Sequence, residues 1–196
     1  MHATQRWLSF RNILKSDFLR SCITCFESYR ITLHYITLQI FNVAWVAWCF
    51  FLQNIDNNNG FWNRLEMYCR DLTAKFDHVW IVSGPLFLSE TNSRTGRKYV
   101  HYDVIGRNEV AVPTHLFKIV VAEKQGIVGK PLLGVFVVPN AAISSDRQLR
   151  EYKVDLEFVE SHTGLQFLPL LDRRKSSDLC SIAGCHLAPL PIAFGG

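Results

Sequence analysis

Trp62, Leu65, Cys69, Leu72 and Phe76 recur at alternating steps of three and four, and two residues later the sequence turns to strand. Steps of three and four put the five side chains on one stripe of a helix, and a stripe that apolar has to lie on a core. His78 to Val82 then reads as a buried strand stopped by Ser83-Gly84-Pro85. Strands dominate the middle of the chain. Tyr99 to Ile105 alternates, Val110 to Val112 and His115 to Ala122 are separated by Pro113, and Leu133 to Val138 ends at Pro139-Asn140. Leu86 to Arg97 and Lys124 to Lys130 read as exposed loops between them. Asp155 to Ser161 reads as a short helix with Asp155 as N-cap and Gly164 as stop, and Leu165 to Leu171 returns to extended apolar sequence. A helix on an antiparallel sheet makes the fold class α+β.

Charged residues are 19% of the 196, below the usual share of about a quarter, so the chain can bury a sizeable core. The length allows one domain of about 140 residues and an N-terminal appendage. The net charge of +4 is concentrated at the front, where Arg6, Arg11, Lys15, Arg20 and Arg30 outnumber Asp17 and Glu27. Bulk charge therefore gives little argument for a polyanion. Six cysteines, at 22, 25, 49, 69, 180 and 185, supply one C-x-x-C and no second pair. Zinc needs four ligands, so ordinary reduced thiols are expected.

Residues 1–52 stand apart. Arg6, Arg11, Lys15 and Arg20 alternate with Trp7, Phe10, Leu14 and Phe18, the pattern of a mitochondrial targeting segment, against which Asp17 and Glu27 count. Ile31 to Leu52 is uncharged and long enough to cross a bilayer, which takes about 20 helical residues. His34, Gln39 and Asn42 would be costly inside it. The segment reads either as a targeting or membrane-anchoring piece or as sequence joined to the domain by alternative splicing or a mispredicted start. Residues 53–186 form the domain, and the Pro-, Ala- and Gly-rich tail 187–196 is expected to fray.

Within 53–186 the stretches NNNGFWNRLEMYCRDL, VWIVSGPLFL, NEVAVPTHLFKIV, LGVFVVPN and Val154–Leu171 succeed one another in an order and spacing that resembles the DNA/RNA non-specific nucleases related to endonuclease G. EMYCR, together with an extension ending at Leu179-Cys180-Ser181 to Cys185, points to the mitochondrial exonuclease-G-like branch. The resemblance implies a ββα-metal nuclease domain that hydrolyses phosphodiester bonds of DNA and RNA with Mg2+, serves mitochondrial DNA processing and forms homodimers. It assigns the metal to an Asn eight positions before a Glu, here Asn58 and Glu66. Some 12 Å would separate them along a continuous helix at about 1.5 Å per residue. Asn58 is then the direct ligand and Glu66 acts through water, an arrangement suited to a cation that keeps several waters. Without the resemblance, Asn57, Asn58 and Asn59 read as helix caps and Glu66 as an i,i+4 partner of Arg70.

The family's general base lies about thirty residues before that Asn, in Asp-Arg-Gly-His, and no such motif occurs in the sequence. His34 is near the right distance in the wrong surroundings, and His101 and His115 fit less well. Arg64 and Lys118 are the candidate phosphate contacts, with Arg70 and Lys98 behind them. The expectation is an N-terminally truncated nuclease domain, inactive alone, at the mitochondrial inner membrane. Two other readings stand beside it. One is a silent, membrane-tethered binding or dimerisation partner of the full-length nuclease; the other is a product destabilised by an uncovered sheet edge.

Overall fold

The computed structural model describes residues 31–35, 50–124 and 130–190. Strands β1 (Ile31–Tyr35) and β2 (Phe50–Asn54) pair antiparallel, Ile31 opposite Asn54 and Tyr35 opposite Phe50. The two ends of the uncharged run are therefore strands of one ladder, and Ile31–Leu52 does not run as a single membrane-crossing helix. Among the described residues no helix is long and apolar enough to cross a membrane. The targeting pattern of residues 1–30 lies outside the described residues.

β2 runs directly into one helix, α1, made of Ile55–Asn57, a π-helical segment Asn58–Trp62 and Asn63–Thr73. The cap is Asn54, not one of the three asparagines after it. Its side chain accepts from the N–H groups of Asp56 and Asn57, two of the donors a helix start leaves free. The stripe seen in the sequence buries Trp62, Leu65, Cys69 and Leu72.

The sheet beneath consists of β3 (His78–Leu86), β8 (His115–Glu123), β9 (Leu132–Pro139) and β10 (Ser177–Asp178), in the order β10-β9-β8-β3. β3, β8 and β9 are antiparallel and β10 is parallel to β9. β3 does not stop at Ser83-Gly84-Pro85 but continues to Leu86. Its sole partner among the described strands is β8, and an edge strand tolerates a proline's missing N–H. At Gly84 a Cβ would come within 2.7 Å of the Phe117 ring, so the glycine makes room for that side chain.

One face of the sheet packs on α1 and the other on α2 (Leu156–Thr163), giving two apolar layers, the first around Phe61, Leu65 and Phe136 and the second around Ile119, Val135 and Val159. Asp155 holds the N-cap position of α2 without a side-chain bond, and Gly164, at φ +69°, ends the helix as expected. Leu165–Leu171 is not a strand. Glu160 draws it into a turn by accepting the Phe167 N–H at 2.8 Å and the Arg173 guanidinium at 2.6 Å.

Between β3 and β8 the chain makes an exposed arm of two short ladders. β4 (Glu90–Thr91) pairs with β5 (Lys98–Tyr99), and β6 (Val104–Ile105) with β7 (Val110–Ala111), in place of the longer strands expected there. At the far end, Cys180 in α3 (Leu179–Ile182) is bonded to Cys185, so these two are not reduced thiols. Asp178 caps α3 through the Cys180 N–H. Burial works to raise its carboxyl pKa, but bonds from Lys153 and Ser181 outweigh that and hold it below the usual value. The tail is anchored at its start, since Leu187 is buried.

Candidate functional site

β2 delivers the chain to the start of α1 at the end of the sheet where β9 finishes, and Asn140 fastens the three pieces. Its Oδ1 accepts from Asn54 N–H at 2.8 Å, and its Nδ2 donates to the carbonyls of Leu52 and Pro113, both at 2.9 Å. Asn57 turns inward and donates to the Pro139 carbonyl at 2.7 Å. Its Oδ1 is buried without a partner. Asn58, the first residue of the π-helical segment, is partly exposed, and its side chain bonds no described residue.

A π-helical turn places an extra residue in the helix and is frequent at functional sites. Here it leads into Trp62, whose indole N–H donates to Glu66 Oε1 at 3.1 Å. Lys118 reaches up from the middle of β8, its Nζ 3.9 Å from the same oxygen and 4.3 Å from the centre of the Trp62 ring. The Lys118 side chain is only 5% exposed and that of Glu66 42%. A buried ammonium thus lies between an aromatic face and a carboxylate that still sees solvent, and Glu66 pairs with Lys118 and not with Arg70. Cys69 lies below. Burial pushes its thiol up to about 11, with Lys118 pulling down and Glu66 pushing up, so it is inert at neutral pH.

Asn58 and Glu66 therefore share a helix, and Lys118 is brought to Glu66. Arg64 is not with them. It is buried, and its guanidinium donates to the carbonyls of Ala188 at 2.9 Å, Ser145 at 2.7 Å and Leu187 at 3.1 Å, so it fastens the C-terminal segment instead of facing a phosphate. His101 is exposed on the arm, and burial lowers the pKa of His115. Sequence reading missed Asn140 and the Trp62 indole. Pro139-Asn140 registered only as a strand end, and Trp62 only as one of the apolar stripe.

Oxygen donors of this kind fit a hard cation. Asn58 offers an amide oxygen free of described partners, and Glu66 is already held by the Trp62 indole and paired with Lys118, which suits contact through water. Among the described residues no three His, Cys, Asp or Glu side chains gather to hold a metal. The protein's share of the ligands would be small, as it is for a cation that keeps its waters.

Three antiparallel strands covered by helices on both faces form an α+β fold of the ββα-type nuclease class. Residues 52–174 match the family model described as DNA/RNA non-specific endonuclease, and the chain belongs to that family. It is 52% identical over 139 residues to the mitochondrial nuclease EXOG of Xenopus laevis, covering 70% of this chain and 38% of that protein. Over 149 residues it is 48% identical to human mitochondrial EXOG, covering 72% and 40%, and over 127 residues 41% identical to human mitochondrial endonuclease G, covering 65% and 42%. The chain thus spans about two fifths of the length of these relatives. A solved structure of an EndoG/EndoGI complex superposes with a TM-score of 0.61 at 35% identity, over 66% of this chain and 52% of that one.

Proposed function

We propose that this chain carries the metal-binding side of a mitochondrial nuclease site for DNA and RNA, with Asn58 as the protein ligand of Mg2+ and Glu66 acting through water. What supports it is the Trp62–Glu66–Lys118 constellation beside a free Asn58 side chain, in a chain that belongs to a nuclease family. The Trp62 indole holds the Glu66 carboxylate by a hydrogen bond and Lys118 pairs with it at 3.9 Å, so a metal-bound water on the carboxylate would meet an oriented acceptor. Lys118, paired with the carboxylate at 3.9 Å, contributes positive charge on the side where a phosphate would sit. When bound, Mg2+ supplies charge stabilisation to the phosphate and the departing oxygen.

Hydrolysis also needs a group to take the proton of the attacking water. No Asp-Arg-Gly-His is present in the 196 residues to supply it, so the chain as it stands binds metal and turns over at background rate. Loss of a general base alone costs about 10²–10⁴-fold. Binding or dimerisation with a nuclease chain that carries the base is the alternative role. Electron paramagnetic resonance with Mn2+ tests the first reading: the chain takes up one ion, Asn58→Ala abolishes the uptake and Glu66→Gln weakens it. Uptake indifferent to Asn58→Ala would refute the ligand, and Mg2+-dependent cleavage of plasmid lost in His34→Ala would show that a base is present after all.

A further inference from the structure

The arm from Phe87 to Val112 leaves and rejoins the sheet at the end where α1 begins, because Asn140 bonds both Pro113 at the arm's return and Leu52 and Asn54 before α1. Between Glu90 and Val104 every residue is exposed. The tip is a built turn. Asn92 Oδ1 accepts from the N–H groups of Arg94 and Thr95, and Gly96 at φ +66° returns the chain to Lys98. It presents Arg94, Arg97 and Lys98 with no acidic residue between Thr91 and Tyr102, and none of the three has an ion-pair partner among the described residues. The arm's acids, Glu90, Asp103 and Glu109, lie outside that span. Directly behind the cations Tyr99 and Tyr102 are 41% and 51% exposed. Tyr99 lies 6.3 Å from the His101 ring, and Tyr102 is braced edge-on by Phe87 at 5.3 Å.

Unpaired cations next to open aromatic faces suit a ligand carrying both phosphates and unstacked rings. We infer that this arm is a docking element for single-stranded nucleic acid, in which Arg94, Arg97 and Lys98 contact phosphates and Tyr99 and Tyr102 stack on bases. A duplex offers the phosphates but keeps its bases stacked on one another, so the tyrosines discriminate between the two forms. The inference deepens the nuclease reading by naming where the strand is gripped before it reaches α1.

Fluorescence anisotropy of the full chain with a fluorescein-labelled oligothymidine of about 20 nucleotides and a duplex of equal length, both in EDTA, tests it. Arg94→Gln/Arg97→Gln/Lys98→Gln is expected to weaken binding of both probes at least about tenfold and to lower the salt slope for the single strand by about 2, at roughly 0.7 per phosphate contact. Tyr99→Ala/Tyr102→Ala is expected to weaken the single strand about tenfold and the duplex less than about threefold. Circular dichroism melting is expected to show both variants folded, since every substituted residue is exposed. A parent chain that does not bind oligothymidine, a triple variant that binds it as the parent does, or tyrosine losses equal for both probes would overturn the inference. Metal is absent from this assay and nucleic acid from the Mn2+ one, so failure of one reading leaves the other standing or falling on its own data.

Discussion

At the residue scale, the asymmetry between Lys118 and Glu66 sets what each substitution does. Lys118 is 5% exposed, so neutralising its partner by Glu66→Gln leaves a buried charge underpaired, whereas Lys118→Met leaves a carboxylate that is 42% exposed and can turn to water. Urea unfolding is expected to show Glu66→Gln costing about 1–3 kcal/mol and Lys118→Met less than about 1. His115 supplies a pH dependence. Burial holds its pKa below 6.5 in the folded chain, so the unfolded chain takes up the proton first as pH falls. Its contribution is therefore fully present above about 6.5 and is lost as pH drops through the lower folded value. Melting temperatures measured from pH 7 down to 5 should fall less steeply in His115→Gln than in the parent. Asn58 and Glu66 stand out in the sequence because a family order lies behind them, whereas nothing in it links Lys118 to Glu66. Arg64 could not be placed, since its partners are backbone carbonyls more than eighty residues away, and carbonyls leave no trace in a side-chain pattern.

Elements were legible wherever period and length agreed. The stripe from Trp62 to Leu72 and the apolar runs of β8 and β9 are buried as their spacing requires. Legibility failed where the environment overrode a local signal. Pro85 reads as a stop yet sits in an edge strand, the capping Asn was chosen by the entry of β2 and not by the Asn57–Asn59 run, and the π-helical turn has no signature in hydropathy. Asn140 is the joint on which the element arrangement tests best. Replacing it by Ala orphans the Asn54 N–H and the Leu52 and Pro113 carbonyls, so Asn140→Ala is expected to cost about 3 kcal/mol. Hydrogen exchange should accelerate at the amide of Asn54 and across the start of α1. Loss of stability with unchanged exchange at Asn54 would mean that the joint is not local.

Over the whole molecule, the C-terminal segment is tied in twice, by the Cys180–Cys185 bond and by Arg64. The bond closes a loop of sequence separation 5, so chain entropy assigns it only about 2 kcal/mol. Cys180→Ala/Cys185→Ala should thus lower stability by about that amount in a urea titration without excess reductant, and an excess of dithiothreitol should remove the difference between variant and parent. The pairing was not legible because two cysteines among six give spacing without geometry. Arg64 has a consequence for traffic around the domain. Arg64 and Glu66 are two residues apart, about 200° around α1 at 3.6 residues per turn. The C-terminal segment lies against the Arg64 flank of α1, and Glu66 projects from the flank turned away from it, so among the described residues that segment leaves the Glu66 side uncovered.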